Sequence, residues 1–288
     1  MIEMLLATAL LDTVIAVPGD GTVQVHEWGV VTFIEGSVVP GSDPATVSHW
    51  QTPFQQDPEQ EMVVRAPVVY FYGPAFSGTF VVRAGSASFI ETWPTPASMT
   101  DGPCATASWN IIGTSAREEG GTPGYPPGTG CIPEDLLELW REPLSKNLLF
   151  DDGGSESFIY YECSIDGGTG AWDPVRTSED GFSLDPDYAG PVMSFARDGG
   201  SVVMVDPPEE EVIETLCDWA EGTMKTKELE GMWATWEEWI YGGSWQGDTL
   251  LIFPLPQSTV EGITGIELIT DGMMEILYSR FFLGVLSV

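Results

Sequence analysis

The chain has 288 residues, enough to bury a large core in one or two domains, and its 43% hydrophobic content is typical of a globular protein. Its 44 acidic residues face only 10 Lys and Arg, which gives a formal net charge of -34. Such a surface repels phosphate backbones and anionic lipid headgroups, so the composition disfavours nucleic-acid or membrane-surface binding. The charge either keeps the protein soluble outside the cell or gathers a hard cation such as Ca²⁺.

Residues 1–20 have features of a secretion signal. An apolar run over 4–11 continues at 14–17 and precedes Pro18 and Gly19, although Asp12 interrupts it and no Lys or Arg comes before it. The run is shorter than the roughly 20 apolar residues of a membrane-spanning helix. We therefore predict an exported mature protein (periplasmic, cell-surface or extracellular) that does not insert into a membrane.

Residues 21–206 have the pattern of a β-rich body. Runs rich in β-branched and aromatic residues occur at 65–73, 78–83 and 88–93, each bounded by Gly, Ser or Pro. Two later runs, 191–196 and 201–205, are joined through Gly199 and Gly200, which predicts a hairpin because glycine adopts the positive φ of tight turns. Many short strands without alternating helices predict a mainly β fold resembling an antiparallel β-sandwich.

Residues 207–288 change in character and predict an α+β segment with two to three helices, packed on the β body. Acidic residues after Pro208 start one helix, and apolar residues at helical spacing predict a second over 227–241. Strands are predicted at 249–253 and 262–269, and a final helix at 273–283.

The four cysteines are consistent with an oxidising compartment. Cys104 and Cys131 flank a Gly- and Pro-rich segment that a disulfide would restrain, and Cys163 with Cys217 would be the second pair. Four cysteines permit three pairings, among which spacing does not choose. The absence of a CxxC motif argues against a zinc finger.

One of the two histidines lies in the motif Val25-His26-Glu27-Trp28-Gly29 at the start of the first predicted strand. An imidazole beside a carboxylate can act as a general base or ligate a metal, and His49 could join His26 and Glu27 in space. This trio is the candidate catalytic site. The alternative is that His26 and Trp28 anchor the first strand and Glu27 faces solvent.

The turn at 151–156 offers the carboxylates of Asp151, Asp152 and Glu156 as candidate Ca²⁺ ligands. Calcium takes six to eight oxygen ligands on a flexible loop, but the full EF-hand spacing is missing here. The alternative is a solvated turn between two strands.

Tryptophans 233, 236 and 239 could form a platform for a sugar, because aromatic faces pack against the apolar faces of sugars. Their helical spacing instead predicts a buried face of the second helix. Glu237 and Glu238 point in different directions on that helix, which makes them a poor acid–base pair for glycoside hydrolysis.

Several of these motifs resemble a group of uncharacterised exported bacterial proteins. Their signature is HEWGTFT near the mature N-terminus, then a TPVxYFY strand and a segment ending in WYP; the matching residues here are 25–29, 66–72 and 90–93. The chain departs from the group at Val30-Val31 and at Glu162-Cys163, where the resemblance implies Arg-Gly. The resemblance covers most of the chain and implies an exported protein without implying an activity.

Two functions remain open. The favoured one is a binding or structural module at the cell surface or in the periplasm, with a glycan or protein partner and with Ca²⁺ as a candidate ligand. The alternative is a hydrolase built on His26, Glu27 and His49. A closed pocket that joins these three residues would favour the enzyme, and dispersed positions would favour the binding module.

Overall fold

A computed structural model of the chain describes residues 21–33, 62–116, 132–165, 174–178, 181–243, 245 and 247–288. It is mainly β, as the sequence predicts. The first strands are β1 (Thr22–Phe33), β2 (Met62–Tyr72), β3 (Phe76–Ala84), β4 (Ala87–Trp93), β5 (Ser98–Thr100), β6 (Thr106–Ala116), β7 (Lys146–Phe150) and β8 (Ser155–Glu156). They are followed by β9 (Ile159–Ile165), β10 (Val175–Ser178), β11 (Gly181–Leu184), β12 (Met193–Asp198), β13 (Ser201–Asp206), β14 (Thr249–Pro254), β15 (Thr264–Thr270) and β16 (Glu275–Ser287).

The larger sheet has eight strands in the order β13-β12-β14-β16-β1-β2-β9-β4. Its centre is the parallel pair β1 and β16, in which His26 lies opposite Ser279 and Trp28 opposite Phe281. The register of β1 against β2 shifts between Trp28 and Val30. Gly29 lies at this shift, where an added Cβ would come within 2.6 Å of the Phe282 ring, so the glycine of the motif permits a close approach of side chain to backbone.

The smaller main sheet has the order β15-β3-β6-β7-β8, with β5 paired to β6. Strands β10 and β11 form a separate two-stranded sheet. One buried apolar cluster contains side chains from both main sheets, among them Val25 and Phe282 from the larger sheet and Phe80 and Trp109 from the smaller. The core therefore includes a layer to which both sheets contribute.

Helices cover the other face of the larger sheet. They are α1 (Glu134–Trp140), α2 (Val212–Trp219) and α3 (Thr226–Gly242), with a 3₁₀ turn at Glu209–Glu211. A fourth helix, α4 (Gln257–Ile263), instead contributes Val260 and Ile263 to the cluster that contains side chains from both main sheets. A second buried cluster joins α2 and α3 to the alternate residues of β1, such as Trp28 and Val30. Its members on α3 include Trp233, Trp236 and Trp239, which confirms a core role for these rings and rules out the sugar platform.

The hairpin and most elements of the C-terminal segment agree with the sequence prediction. Strands β12 and β13 form the hairpin, with φ of 57° at Gly199 and 93° at Gly200. The helix predicted over 273–283 is wrong, because residues 275–283 belong to β16. Strand β16 is buried on both faces from Phe281 to Leu286, so its apolar run lacks the alternation that distinguishes a strand from a buried helix.

The C-terminal segment does not form a separate layer packed on the β body, because it contributes strands to both main sheets. Strands β14 and β16 lie within the larger sheet, and β15 forms an edge of the smaller one. The boundary predicted at 206/207 precedes α2 and α3, but α1 of the same helical layer comes before it, and strands from both sides of it share the same sheets. The segment 1–20 lies outside the described residues.

The predicted disulfide between Cys163 and Cys217 does not form. Both are free thiols, with Cys163 in the buried cluster that contains side chains from both main sheets and Cys217 on α2 beside the other core cluster. The larger sheet therefore separates them. Burial raises the pKa of the Cys163 thiol, which keeps it protonated and unreactive. Cys104 is free and exposed, and its predicted partner Cys131 lies outside the described residues.

Candidate functional site

His26 forms the centre of a polar cluster on the helix-covered face of the larger sheet. Its Nδ1 lies 3.1 Å from each carboxylate oxygen of Glu228. The Tyr72 hydroxyl donates to Glu228 Oε1 at 2.7 Å, and the His26 and Tyr72 rings are 4.8 Å apart. Glu228 is fully buried, and His26 is 7% exposed. The Glu228 carboxylate thus contacts both the imidazole of His26 and the hydroxyl of Tyr72, and it fixes the position of each.

The cluster forms where β1 and β2 meet the start of α3. Glu228 is the third residue of that helix, and its Oε2 accepts the backbone N–H of Lys225 at 2.6 Å, which is one half of a capping box. The same carboxylate therefore caps the helix and orients His26. No short motif in the sequence reveals this pairing, because 202 positions separate the two residues.

The Tyr72 hydroxyl beside Glu228 stays protonated. Burial and the charge of Glu228 raise the pKa of Tyr72 well above its usual value, so the hydroxyl remains a hydrogen-bond donor. The Lys225 ammonium lies 4.4 Å from the centre of the Tyr72 ring, in a cation–π contact. One exposed cation therefore borders the cluster in a strongly acidic protein.

Glu27 takes no part in this cluster, because neighbouring residues of a strand point to opposite faces of the sheet. It is fully buried on the other face, where it accepts Arg280 Nε at 2.5 Å and the Tyr161 hydroxyl at 2.7 Å. Burial and the Glu27 charge raise the pKa of Tyr161 well above normal, so it too remains a donor. His26 and Glu27 therefore cannot act on the same substrate atom. His49 lies outside the described residues.

The proposed calcium ligands are likewise not assembled. Glu156 points inward and accepts Arg141 Nε at 3.0 Å and Nη2 at 2.6 Å. Asp151 and Asp152 remain exposed at the turn, where Asp151 accepts Asn110 Nδ2 at 2.7 Å and Asp152 accepts the Gly154 N–H at 2.8 Å. Within the described ranges, no group of three or more His, Cys, Asp or Glu side chains is placed to hold a metal ion. The turn is thus a solvated one with an inward ion pair beneath it.

We expect Ca²⁺ to stabilise this protein no more than sodium chloride does. Carboxylates in such excess repel one another, so added salt of either kind should raise the melting temperature through screening. A specific site would act at far lower concentration, because binding only the folded state stabilises it by mass action. Thermal melts in chelator, in CaCl₂ and in NaCl of equal ionic strength make the comparison. A higher melting temperature in CaCl₂ than in matched NaCl would contradict this prediction and support a specific calcium site.

The structure also contains a groove that sequence reasoning missed. It lies on the outer face of the smaller sheet, has a volume of about 420 Å³, and is lined by Ser77, Thr79, Asn110, Phe150, Asp151 and Asp271 among others. A neighbouring hollow of about 180 Å³ shares Asn110, Phe150 and Asp151 with it. Together they form one polar, acidic depression across β3, β6 and β7. The residues that line the 420 Å³ groove come from four separate parts of the chain, so no local motif marks it.

Hydrogen bonds between side chains arrange the floor of this groove. Asn110 Oδ1 accepts the Thr79 hydroxyl at 3.0 Å, and Asn110 Nδ2 donates to Asp151 at 2.7 Å. At one end, the Ser77 hydroxyl donates to Asp271 at 2.5 Å. Hydroxyl, amide and carboxylate groups thus line the groove together, and no basic residue is among the described residues that line it.

Comparison with known proteins adds no further assignment. No protein-family model, no curated protein and no solved structure matches the chain. Among the described residues, the helices are too short or too polar to cross a bilayer.

Proposed function

We propose that this protein is an exported binding module whose ligand occupies the groove on the outer face of the smaller sheet. The observation that carries the proposal is the convergence of Thr79, Asn110 and Asp151 on a single concavity of about 420 Å³. Small-molecule sites are typically concave and present a few converging polar groups, and this volume falls within their usual range. The excess of surface carboxylates supports a soluble, exported protein at the cell surface or in the periplasm.

The chemistry of the groove favours a neutral glycan. Carboxylate and amide oxygens accept hydrogen bonds from sugar hydroxyls, the Asn110 amide donates, and Phe150 offers an apolar surface. Asp151 and Asp271 would repel an anionic ligand, since no basic side chain among the described residues of the groove offsets them. The proposal therefore excludes uronic-acid and sulfated glycans as ligands.

A sandwich-like packing of the two main sheets is part of this proposal. The cluster of buried side chains drawn from both sheets supports it. In such packing the outer face of the smaller sheet points away from the shared core, so its polar residues are available to a ligand. The separation of His26 from Glu27 also favours a binding module over the hydrolase built on His26, Glu27 and His49.

Replacing Asn110 with alanine is expected to weaken glycan binding by up to about tenfold. The substitution removes both an acceptor and a donor from the floor of the groove, and one hydrogen bond contributes about 0.5–1.5 kcal/mol. Asn110 is exposed, so the fold should tolerate the change. Wild-type and variant protein would be applied to an array of neutral and anionic glycans, and affinities then measured by calorimetry.

The control is Thr100→Ala on β5. Thr100 is also exposed, and its hydroxyl also bonds a neighbouring strand, at 2.9 Å from that of Thr106, but it does not line the groove. Thr100→Ala should therefore bind like the wild type. An array that retains no neutral glycan, or equal weakening by both substitutions, would refute the proposed site.

A further inference from the structure

We propose that Ser279, His26 and Glu228 form a second site, in which Ser279 is the nucleophile of an ester-cleaving reaction. This site is independent of the groove, since it lies on the helix-covered face of the larger sheet. It uses His26, as the hydrolase hypothesis does, but it replaces Glu27 and His49 with two residues from the C-terminal segment.

Strand register brings Ser279 next to His26. The two residues are direct partners in the parallel pair of β1 and β16. Neighbouring strands lie about 4.8 Å apart, and partners in register present their side chains on the same face. Two residues further along the pair, on the same face, the partners Trp28 and Phe281 both belong to the core cluster on the helix side, which fixes the face that His26 and Ser279 share.

Glu228 orients the His26 ring in the way that a general base requires. Both oxygens of Glu228 lie 3.1 Å from Nδ1, which assigns the Nδ1 proton to that contact and leaves Nε2 as the acceptor. In the described part of the structure, Nε2 has no hydrogen-bond partner. A nucleophile, a base and a carboxylate that orients the base are the three roles of a serine-hydrolase triad.

The surroundings suit a small ester with an apolar acyl group. Ser279 is half-buried. Two residues nearer the start of the two strands, on the same face, the partners Gln24 and Leu277 are exposed. Leu277 lies on the same face as Ser279, two residues away, so its side chain can make apolar contacts with the acyl chain of an ester.

The reaction runs in two balanced steps. The Ser279 Oγ attacks the ester carbonyl, its proton passes to His26 Nε2, and that proton leaves with the alcohol as the C–O bond breaks. Water then attacks the acyl-serine, again losing a proton to Nε2, which returns it to Ser279 as the carboxylic acid departs. Glu228 is a positioning residue, since it stabilises the imidazolium that forms in each step.

The test uses a fluorophosphonate probe, which forms a covalent adduct with activated serines. Peptide mapping of the full chain should locate the adduct on Ser279, and Ser279→Ala should abolish it. His26→Gln should slow labelling by about 100-fold or more, because it removes the general base. Ser287→Ala is the control, since Ser287 lies on the same strand with similar exposure but is paired with Leu250 on β14.

Glu228→Gln separates a positioning role from a merely structural one. A neutral amide can no longer stabilise the imidazolium, so labelling should slow, and Glu228→Asp, which keeps a carboxylate at this position, should recover part of the lost rate. Circular dichroism of each variant establishes that it is folded. No adduct on Ser279 in folded wild-type protein would overturn the proposal, and so would labelling at an unchanged rate in folded His26→Gln.

Discussion

Replacing Glu27 with alanine should lower the free energy of unfolding by about 3–5 kcal/mol. Its carboxylate and the Arg280 guanidinium form an ion pair in which the side chains are 0% and 3% exposed. Removal of one partner of a buried pair leaves the other charge without compensation, and such changes cost about this much. The substitution also deprives the Tyr161 hydroxyl of its acceptor at 2.7 Å. Urea denaturation of wild-type and variant protein measures the difference.

Glu267→Ala provides a matched control. Glu267 pairs with Arg83 at 2.7 Å, but these side chains are 48% and 50% exposed. Exposed pairs contribute about 0–1 kcal/mol, so this variant should be nearly as stable as the wild type. Each substitution removes one negative charge, so general repulsion changes equally in the two variants. Equal losses of stability would contradict the structural role of Glu27.

Replacing Trp236 with alanine should also cost about 3–5 kcal/mol, because it truncates a large side chain in the core between α3 and the larger sheet. Trp236 is 4% exposed and meets Trp239 edge to face at 6.5 Å between ring centroids. The cost combines the lost apolar burial with the cavity that remains. Chemical denaturation monitored by circular dichroism gives the change.

Trp219→Ala on α2 is the control for that change. Trp219 is only partly buried at the edge of the same cluster, so its loss should cost clearly less than that of Trp236. If the Trp236 variant unfolds at the same denaturant concentration as the wild type, the helix does not pack on the sheet as described.

Local patterns predicted the elements whose signals are contained within one segment. The turn at Gly199 and Gly200 specifies the β12–β13 hairpin, and the apolar stripe of α3 specifies its buried face. Strand β16 was mistaken for a helix because burial on both faces removes the alternation of apolar and polar residues that marks a half-buried strand. Tertiary position, rather than local sequence, distinguishes the two structures there.

The candidate sites depended still more on long-range placement. His26 and Glu27 are neighbours in sequence but lie on opposite faces of β1, so their adjacency was misleading. The partner of His26 is Glu228, which sequence analysis did not single out, and the two residues meet only when α3 crosses the end of the sheet. Glu156 was predicted to face a cation, whereas it turns inward to Arg141.

The most direct test of the binding function is a nuclear magnetic resonance titration of the wild-type chain with the neutral oligosaccharide that the array retains most strongly. The side-chain amide of Asn110 reports on the floor of the groove, where it contacts Thr79 and Asp151. We expect the largest shifts at this amide and at neighbouring residues of β3, β6 and β7. Shifts concentrated elsewhere, with the Asn110 amide unchanged at saturation, would contradict the proposal.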